Sequence, residues 1–234
     1  MDNKGFEFLL SYNGSIGDVS FNITGNIAGY RNKVVSLPDE VVNSYAGNGY
    51  DQTILGRPLN SLFGYVADGL FQTQEEVDSH VNQTGKGFGR IRYKNVDDSN
   101  DEINDRDRTW LGVTDPKFIY GLNCSLSYKN WDFSMFWNSI CGGRVNNTTK
   151  QFTDFVSAFS GENYGTRTLE AWTPQNTSST IPMLSANDFN NEMRFSSYYV
   201  ESSSYLKLRN VEVGYSLNKS ICDKLYMQNT HFFI

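Results

Sequence analysis

The residues of this sequence best suited to chemistry are the acids between positions 97 and 107. The same run contains Ser99 and Asn100, which add further oxygen atoms. Its six acids are Asp97, Asp98, Asp101, Glu102, Asp105 and Asp107. Calcium takes about six to eight oxygen ligands, drawn from alternate positions of a loop. Cation binding is therefore the first chemistry that this run predicts.

One calcium-loop register places Asp98, Asn100 and Asp107 at ligand positions. In that register Val96 stands at the first ligand position without a side-chain oxygen, and Asp101 replaces the central glycine. Asp98, Asn100 and Asp107 are therefore candidate calcium ligands. The alternative is a solvated loop of mutually repelling carboxylates.

Catalysis would need groups that this sequence does not bring together. Glycoside hydrolysis uses two carboxyl groups on opposite faces of a sugar ring, which acids packed into one loop do not usually reach. The chain has no nucleophile elbow, phosphate-binding loop or dinucleotide fingerprint. Its two histidines, His80 and His231, have no recognisable Ser or Cys partner. The sequence predicts no catalytic residue, no cofactor and no enzyme, with a β-rich glycosidase kept as an alternative.

The elements that would position these residues are β-strands, shown most clearly by residues 117–137. Apolar side chains alternate with small polar ones, and the pattern resumes after Lys129 and Asn130. The apolar positions are Phe118, Tyr120, Leu122, Cys124, Leu126, Tyr128, Trp131, Phe133, Met135 and Trp137. Ile119 and Phe136 are the exceptions. Because successive side chains of a strand point to opposite faces, the pattern predicts a hairpin of two strands, each of roughly ten residues.

Shorter patterns on either side predict further elements. Residues 6–12 and 19–27 alternate in the same way, and residues 13–17 are rich in turn formers. Thr73 precedes Glu75 and Glu76, which is typical of a helix start.

The last third of the chain predicts one long strand and one short one. Between residues 202 and 217 the alternation slips at Arg209 and Asn210, which indicates a β-bulge. Residues 218–223 predict a turn before a final strand. The whole pattern predicts about eight to ten strands.

Two classes of β protein fit such alternation, a transmembrane barrel and a secreted β-sandwich that binds carbohydrate. Very short connections contrast with two long excursions, at residues 38–62 and 142–196, which the sequence predicts to be structureless. That asymmetry favours a barrel with short periplasmic turns and long extracellular loops. Aromatic loop residues such as Trp110, Tyr164 and Trp172 are freer to contact a ligand.

Bulk composition agrees with the barrel. The mean hydropathy of −0.49 suggests a soluble protein, but barrel walls alternate apolar with polar residues and never build a long apolar run. The aromatic content of 15% suits interfacial girdles. A net charge of −6 argues against a nucleic-acid partner. Strand patterns reach both Met1 and Ile234, so we expect a piece of a longer protein.

Several segments carry motifs that occur together and in a fixed order along the chain. Residues 3–8, Asn-Lys-Gly-Phe-Glu-Phe, resemble a strand start of the SusC/RagA family of TonB-dependent outer-membrane receptors. Residues 56–77 are similar to the family passage that contains Gly-Tyr, Asp-Gly, Phe-Gln and Glu-Glu. The other matching segments are residues 90–96, 107–112, 115–123 and 203–215. The family's acidic loop usually carries glycines that this chain lacks, which weakens a cation site at Asp98.

The resemblance implies a fold and a function for the longer protein. Such receptors are plugged transmembrane barrels that import glycans or peptides across the outer membrane of Bacteroidetes. A SusD-like surface lipoprotein covers the barrel, and the TonB complex supplies energy. We therefore expect residues 1–234 to be a partial C-terminal barrel portion, an antiparallel and open β-barrel wall with long extracellular loops and one or two short loop helices. The plug domain and TonB box are absent from this sequence, so we expect no transport by the chain alone.

Overall fold

The structure is a computed structural model that describes residues 1–40, 53–97, 101–157, 161 and 163–234. The chain divides into two compact units that alternate along the sequence. We call residues 3–31, 115–143 and 203–234 the wall, and residues 1–2, 32–114 and 144–202 the lobe. The predicted element types are mostly correct, because the described chain is dominated by antiparallel strands.

The described strands and helices have the following bounds. The strands are β1 (Asp2–Ile16), β2 (Val19–Lys33), β3 (Ser61–Gly64), β4 (Ala67–Leu70), β5 (Ile91–Tyr93), β6 (Thr109–Val113), β7 (Phe118–Tyr128), β8 (Trp131–Cys141), β9 (Arg144–Asn146), β10 (Val200–Ser202), β11 (Tyr205–Ser216) and β12 (His231–Phe233). The α-helices are α1 (Gln74–Ser79), α2 (Lys150–Thr153) and α3 (Lys219–Lys224). Short 3-10 turns cover Asp105–Asp107, Thr166–Glu170 and Ser197–Tyr199. No helix among the described residues is long and apolar enough to cross a membrane.

The wall is a single six-stranded sheet in the order β1-β2-β7-β8-β11-β12. The predicted hairpin is confirmed, since β7 pairs antiparallel with β8 from Phe118 opposite Cys141 to Tyr128 opposite Trp131. Lys129 adopts a positive φ of 55° in the two-residue turn between them. The expectation of eight to ten wall strands is wrong for the described chain, because the other short strands pair among themselves in two-stranded sheets.

The turn predicted at residues 13–17 is also wrong. β1 continues to Ile16, and the chain reverses at Gly17 and Asp18. Gly17 has a φ of 59°, a conformation that glycine adopts without a steric penalty. The turn-forming residues at positions 13 and 14 adopt extended backbone here because β2 supplies the hydrogen-bond ladder.

The predicted bulge in β11 is confirmed. Leu208 pairs with Trp137 and Asn210 pairs with Phe136, which leaves Arg209 as the extra residue. After the bulge Val211 pairs with Met135, so the apolar side chains of β11 stay on one face. A one-residue slip without a bulge would turn them to the other face.

No second layer of described residues covers the apolar face of the wall. Leu122 is 39% exposed and Leu126 is 42% exposed, while Phe118 and Phe133 are half-buried. A β-sandwich would bury this face beneath a second sheet about 10 Å away. The exposed leucines therefore fit a barrel wall rather than the sandwich alternative.

The lobe shows that the long excursions are not structureless where they are described. It contains three two-stranded antiparallel sheets, β3–β6, β4–β5 and β9–β10. Its main hydrophobic core consists of Tyr65, Leu70, Ile91, Tyr93, Phe155, Trp172 and Tyr199. Burial of each such side chain contributes about 1.5–3 kcal/mol to folding. Phe155 and Trp172 of the second excursion thus pack in one core with residues that lie outside both excursions.

Two local predictions had opposite outcomes. The helix start at Thr73 is confirmed, because its side-chain oxygen accepts a hydrogen bond of 3.2 Å from the backbone N–H of Glu76. The turn predicted at residues 218–223 is wrong, since this segment forms α3. Burial of Cys222, which is 1% exposed, gives that short helix an apolar face that the polar sequence around it concealed.

Candidate functional site

Asp107, a candidate calcium ligand, is fully buried and already holds the backbone around it. Its Oδ1 accepts a hydrogen bond of 2.7 Å from the N–H of Val96, and its Oδ2 accepts one of 2.8 Å from the N–H of Asn104. The other two candidates, Asp98 and Asn100, lie outside the described residues. A calcium ion at Asp107 would have to share these oxygens, and the calcium site stays a prediction.

The acidic run is not simply a solvated loop either. Asp97 is buried, with its Oδ2 3.5 Å from Nε of Arg106. Oδ1 of Asp105 accepts a hydrogen bond of 2.9 Å from the hydroxyl of Tyr65. Burial, followed by this hydrogen bond, raises the pKa of Tyr65 to about 12. Several of the acids therefore stabilise the lobe rather than repel one another.

A groove of about 350 Å³ on the lobe has room for a small ligand. It lies beside β4 and β5 and is bordered by a run of hydroxyl-bearing residues. Its lining residues are Ala67, Gly69, Leu70, Gln72, Ile91, Thr177, Ser178, Ser179, Thr180, Ser197 and Tyr198. Thr177, Ser178 and Thr180 are exposed at its rim. The lining carries no formal charge, so the groove suits a neutral polar molecule.

The floor of the groove is fixed by hydrogen bonds to its polar side chains. Oε1 of Gln72 accepts a bond of 2.7 Å from the indole N–H of Trp172. Oγ of Ser197 accepts a bond of 2.9 Å from the N–H of Ala67. Trp172 is only 3% exposed, so it supports the groove from the core instead of contacting a ligand as its loop position had suggested. A rigid floor lowers the entropic cost of binding.

Tyr198 is held in one orientation at the side of the groove. Its hydroxyl donates a hydrogen bond of 2.6 Å to Oδ2 of Asp154. Burial raises the pKa of Tyr198, and the bond to Asp154 acts in the same direction, so the phenol stays protonated. Nζ of Lys150 lies 4.8 Å from the centre of the Tyr198 ring and 2.8 Å from Oε1 of Glu201. The Lys150 hydrogen bond holds the pKa of Glu201 below its ordinary value.

The wall offers a second surface, a polar face formed by one residue from each paired strand. The ladder places Asn22 opposite Ser125, Ser125 opposite Ser134 and Ser134 opposite Glu212. Side chains of directly opposed residues lie on the same face. Four neighbouring strands therefore contribute one continuous row of polar groups.

The opposite face of the wall is apolar across the same strands. The ladder places Phe21 opposite Leu126, Leu126 opposite Phe133 and Phe133 opposite Val213. Beside the β7–β8 turn, a row of aromatic residues crosses the sheet. It consists of Tyr128, Trp131, Tyr215 and Phe232, with the rings of Trp131 and Tyr215 4.7 Å apart. Such a row at the end of an apolar band is typical of a barrel girdle.

No protein-family model matches the chain. TonB-dependent receptor P3 of Formosa agariphila is 30% identical over the full chain, which covers 23% of that receptor. TonB-dependent receptor P26 of the same organism is 28% identical over 93% of the chain, which corresponds to 22% of its length.

Solved structures show the same fold. The RagAB peptide transporter superposes on 99% of the chain, with a TM-score of 0.75 and 18% identity, over 24% of its own chain. The RagAB peptide importer in the closed-closed state gives a TM-score of 0.69 and 16% identity, over 25% of that chain. Sequence relatives and structural neighbours thus agree on one kind of barrel.

The chain matches a segment of TonB-dependent receptors in sequence, and it shares its fold with a segment of the SusC/RagA-type RagAB transporters. It spans just under a quarter of the curated relatives that it matches, 23% of receptor P3 and 22% of receptor P26. The open six-stranded sheet is accordingly part of a TonB-dependent receptor barrel. The family resemblance and the barrel fold expected from the sequence are both confirmed.

Sequence reasoning missed the groove of this SusC/RagA-type segment. Gln72, Thr177 and Tyr198 come from distant parts of the chain and share no periodic pattern. The one available signal was the run of hydroxyl-bearing residues from Thr177 to Thr180, which is unusual in a loop but does not specify a ligand.

Proposed function

We propose that the chain is the C-terminal barrel portion of an outer-membrane transporter that imports oligosaccharides or peptides. TonB-dependent receptors are outer-membrane proteins and transporters rather than enzymes. The transporter would work with a SusD-like surface lipoprotein as its partner and with the TonB complex as its energy source. The plug domain and TonB box would lie elsewhere in the receptor.

The observation that carries the proposal is the two-faced wall. Its apolar face, which includes Leu126 and Phe133, suits acyl chains, and its polar face, which includes Ser125 and Ser134, suits a water-filled interior. All backbone groups of a lipid-exposed strand must be paired within the protein. β1 and β12 are the outer strands of the described sheet, so they need further strands beside them in the membrane. We therefore propose that transport requires the whole receptor.

The groove on the lobe supports the proposed substrate classes. Exposed hydroxyls at Thr177, Ser178 and Thr180 offer donors and acceptors to sugar hydroxyls or to peptide groups. The absence of charged side chains among the lining residues disfavours a strongly charged ligand. The RagAB structures are named a peptide transporter and a peptide importer. Both classes of substrate remain within the proposal.

The test is an uptake assay with the intact receptor in its host strain. A variant with Thr177, Ser178 and Thr180 all replaced by Ala removes the rim hydroxyls. Each lost hydrogen bond to a ligand costs about 0.5–1.5 kcal/mol, so uptake at low substrate concentration is expected to fall about tenfold or more. Labelled neutral oligosaccharides and labelled peptides are tested side by side, which separates the two classes.

A matched control replaces Ser79 and Thr84 by Ala. Both are exposed hydroxyl-bearing residues of the lobe outside the groove lining. Uptake by this control should equal that of the natural receptor. If the rim variant takes up every oligosaccharide and peptide as well as the natural receptor does, the groove is excluded as a substrate contact. If a strain that lacks the receptor shows no uptake defect, the transport function itself is rejected.

A further inference from the structure

Three side chains with metal-binding groups meet on the polar face of the wall. Asp132 lies near the start of β8, Glu212 lies in β11 and His231 begins β12. One oxygen or nitrogen from each of them lies within 4.8 Å of the others. These strands are neighbours in the sheet, so the fold itself brings the three groups together.

Gly214 provides the space in which these groups approach. It pairs directly with Asp132, and a Cβ at this position would lie 2.4 Å from Oδ2 of Asp132 and 2.5 Å from Cε1 of His231. Any larger residue would therefore push the carboxylate and the imidazole apart. The missing side chain leaves a cradle between the Asp132 carboxylate and the His231 imidazole.

The imidazole of His231 is oriented by its neighbours. Its Nδ1 lies 3.1 Å from Oγ of Ser216 and 3.7 Å from Oδ1 of Asp132. Metal-binding histidines usually hold one ring position through such an oxygen. Ser216 thus limits rotation of the ring while both carboxylates stay within reach of it.

The donor set selects a class of ion. Calcium and magnesium prefer oxygen ligands, whereas an imidazole with two carboxylates suits zinc and similar divalent transition metals. Zinc–ligand bonds of about 2.0–2.2 Å separate tetrahedral ligand atoms by about 3.4 Å. Small rotations of the partly exposed Asp132 and Glu212 side chains would bring groups now within 4.8 Å to that spacing.

We infer that Asp132, Glu212 and His231 bind a divalent transition-metal ion of the zinc class on the polar face of the wall. The ion joins β8, β11 and β12 through their side chains. β12 pairs antiparallel with β11 at His231–Phe233. Metal binding therefore adds a side-chain link between these paired strands. Water completes the coordination, because the three groups are at least partly exposed.

The inference is tested by zinc titration of the purified full-length receptor in detergent after chelator treatment. His231→Gln keeps a polar side chain of similar size but offers a poorer ligand. Gly214→Ala leaves all three ligands in place and fills the cradle. We expect the natural receptor to bind zinc at a site that both variants lose or bind at least about tenfold more weakly. Co²⁺ added to the natural receptor should give a visible absorption band that His231→Gln abolishes.

Glu7→Gln is the matched control, since Glu7 is an exposed carboxylate of β1 outside the cluster. It should bind zinc as the natural receptor does. Assembly of each variant is checked by heat-modifiable migration on a gel. If either variant fails to assemble, Asp132→Asn replaces it as the variant with a weakened site. Equal zinc stoichiometry and affinity in the natural receptor and in an assembled ligand variant would overturn the inference, as would an absence of zinc binding by the natural receptor.

Discussion

Nη1 of Arg90 lies 2.8 Å from Oε2 of Glu192, and both residues are buried in the lobe. Oε1 of Glu192 also accepts a hydrogen bond of 3.0 Å from the N–H of Ile91 in β5. Arg90 in turn donates a bond of 3.2 Å to the carbonyl of Met183. The pair therefore joins β5, which lies beside the groove, to a segment about a hundred positions further along the chain.

Replacement of Arg90 by Met should weaken the lobe strongly. Burial already raises the pKa of Glu192 despite the nearby guanidinium, so its charge is costly without a partner. Removal of one member of a buried pair costs about 3–5 kcal/mol. Hydrogen exchange of β5 in the full-length receptor should become faster by a corresponding factor.

Arg92→Met is the control for that change. Arg92 lies 3.3 Å from Glu76 and 3.8 Å from Asp68, but these pairs are more exposed. Exposed pairs contribute about 0–1 kcal/mol, so exchange in β5 should change little. Equal amide protection of β5 in the Arg90 and Arg92 variants would show that the buried Arg90–Glu192 pair stabilises the lobe no more than the exposed pairs do.

Leu126 and Ser125 offer a direct test of the two faces. They are adjacent in β7 and point to opposite sides of the wall. An arginine on the lipid face of a barrel costs about 2–4 kcal/mol at the membrane centre and less toward the aromatic row, which is separated from Leu126 by one residue pair. Leu126→Arg should therefore reduce the amount of assembled receptor in the outer membrane, whereas Ser125→Arg should leave it nearly unchanged. The reverse order would mean that the polar face, not the apolar face, meets lipid.

Periodicity was sufficient to predict the β7–β8 hairpin and the β11 bulge because both leave local and repetitive signals in the sequence. The hairpin at Lys129 and Asn130 follows from alternation on either side of two residues. The bulge at Arg209 follows from a change of parity within one strand. Each signal is contained in a few neighbouring residues, so no knowledge of distant contacts is needed.

The lobe could not be predicted in this way because its contacts connect distant residues. Nε2 of Gln83 donates a 2.8 Å hydrogen bond to Oδ1 of Asn190, which lies 107 positions away. Trp172 reaches Gln72 across 100 positions. Such pairs leave no period in the sequence, and their polar residues look like solvent-exposed loop. The groove was hidden for the same reason.

Arg209 provides a test of how the wall keeps its register. Because it is the extra residue of the bulge, its deletion leaves Leu208 and Val211 on the faces that they already occupy. The shortened receptor should still assemble and migrate as a heat-modifiable barrel. Deletion of Ser134 from β8, where the ladder is regular, should instead turn half of that strand over and prevent assembly. If the receptor without Arg209 failed to assemble while the one without Ser134 assembled, the bulge residue would have a role other than keeping the strand register.

Tyr65 predicts a loss of lobe stability at high pH. Burial, with the hydrogen bond to Asp105, raises its pKa from 10.0 to about 12. The folded lobe therefore holds this proton more tightly than the unfolded chain does. The resulting stability is present in full below pH 10 and is lost as the pH rises toward 12.

Urea unfolding followed by tryptophan fluorescence across this interval should show a decline in the free energy of unfolding that is shallower in Tyr65→Phe. The decline should persist in part, because burial raises the pKa of Tyr93 and Tyr199 as well. An identical slope in the natural receptor and in Tyr65→Phe would mean that the phenol loses its proton equally easily in the folded and unfolded states.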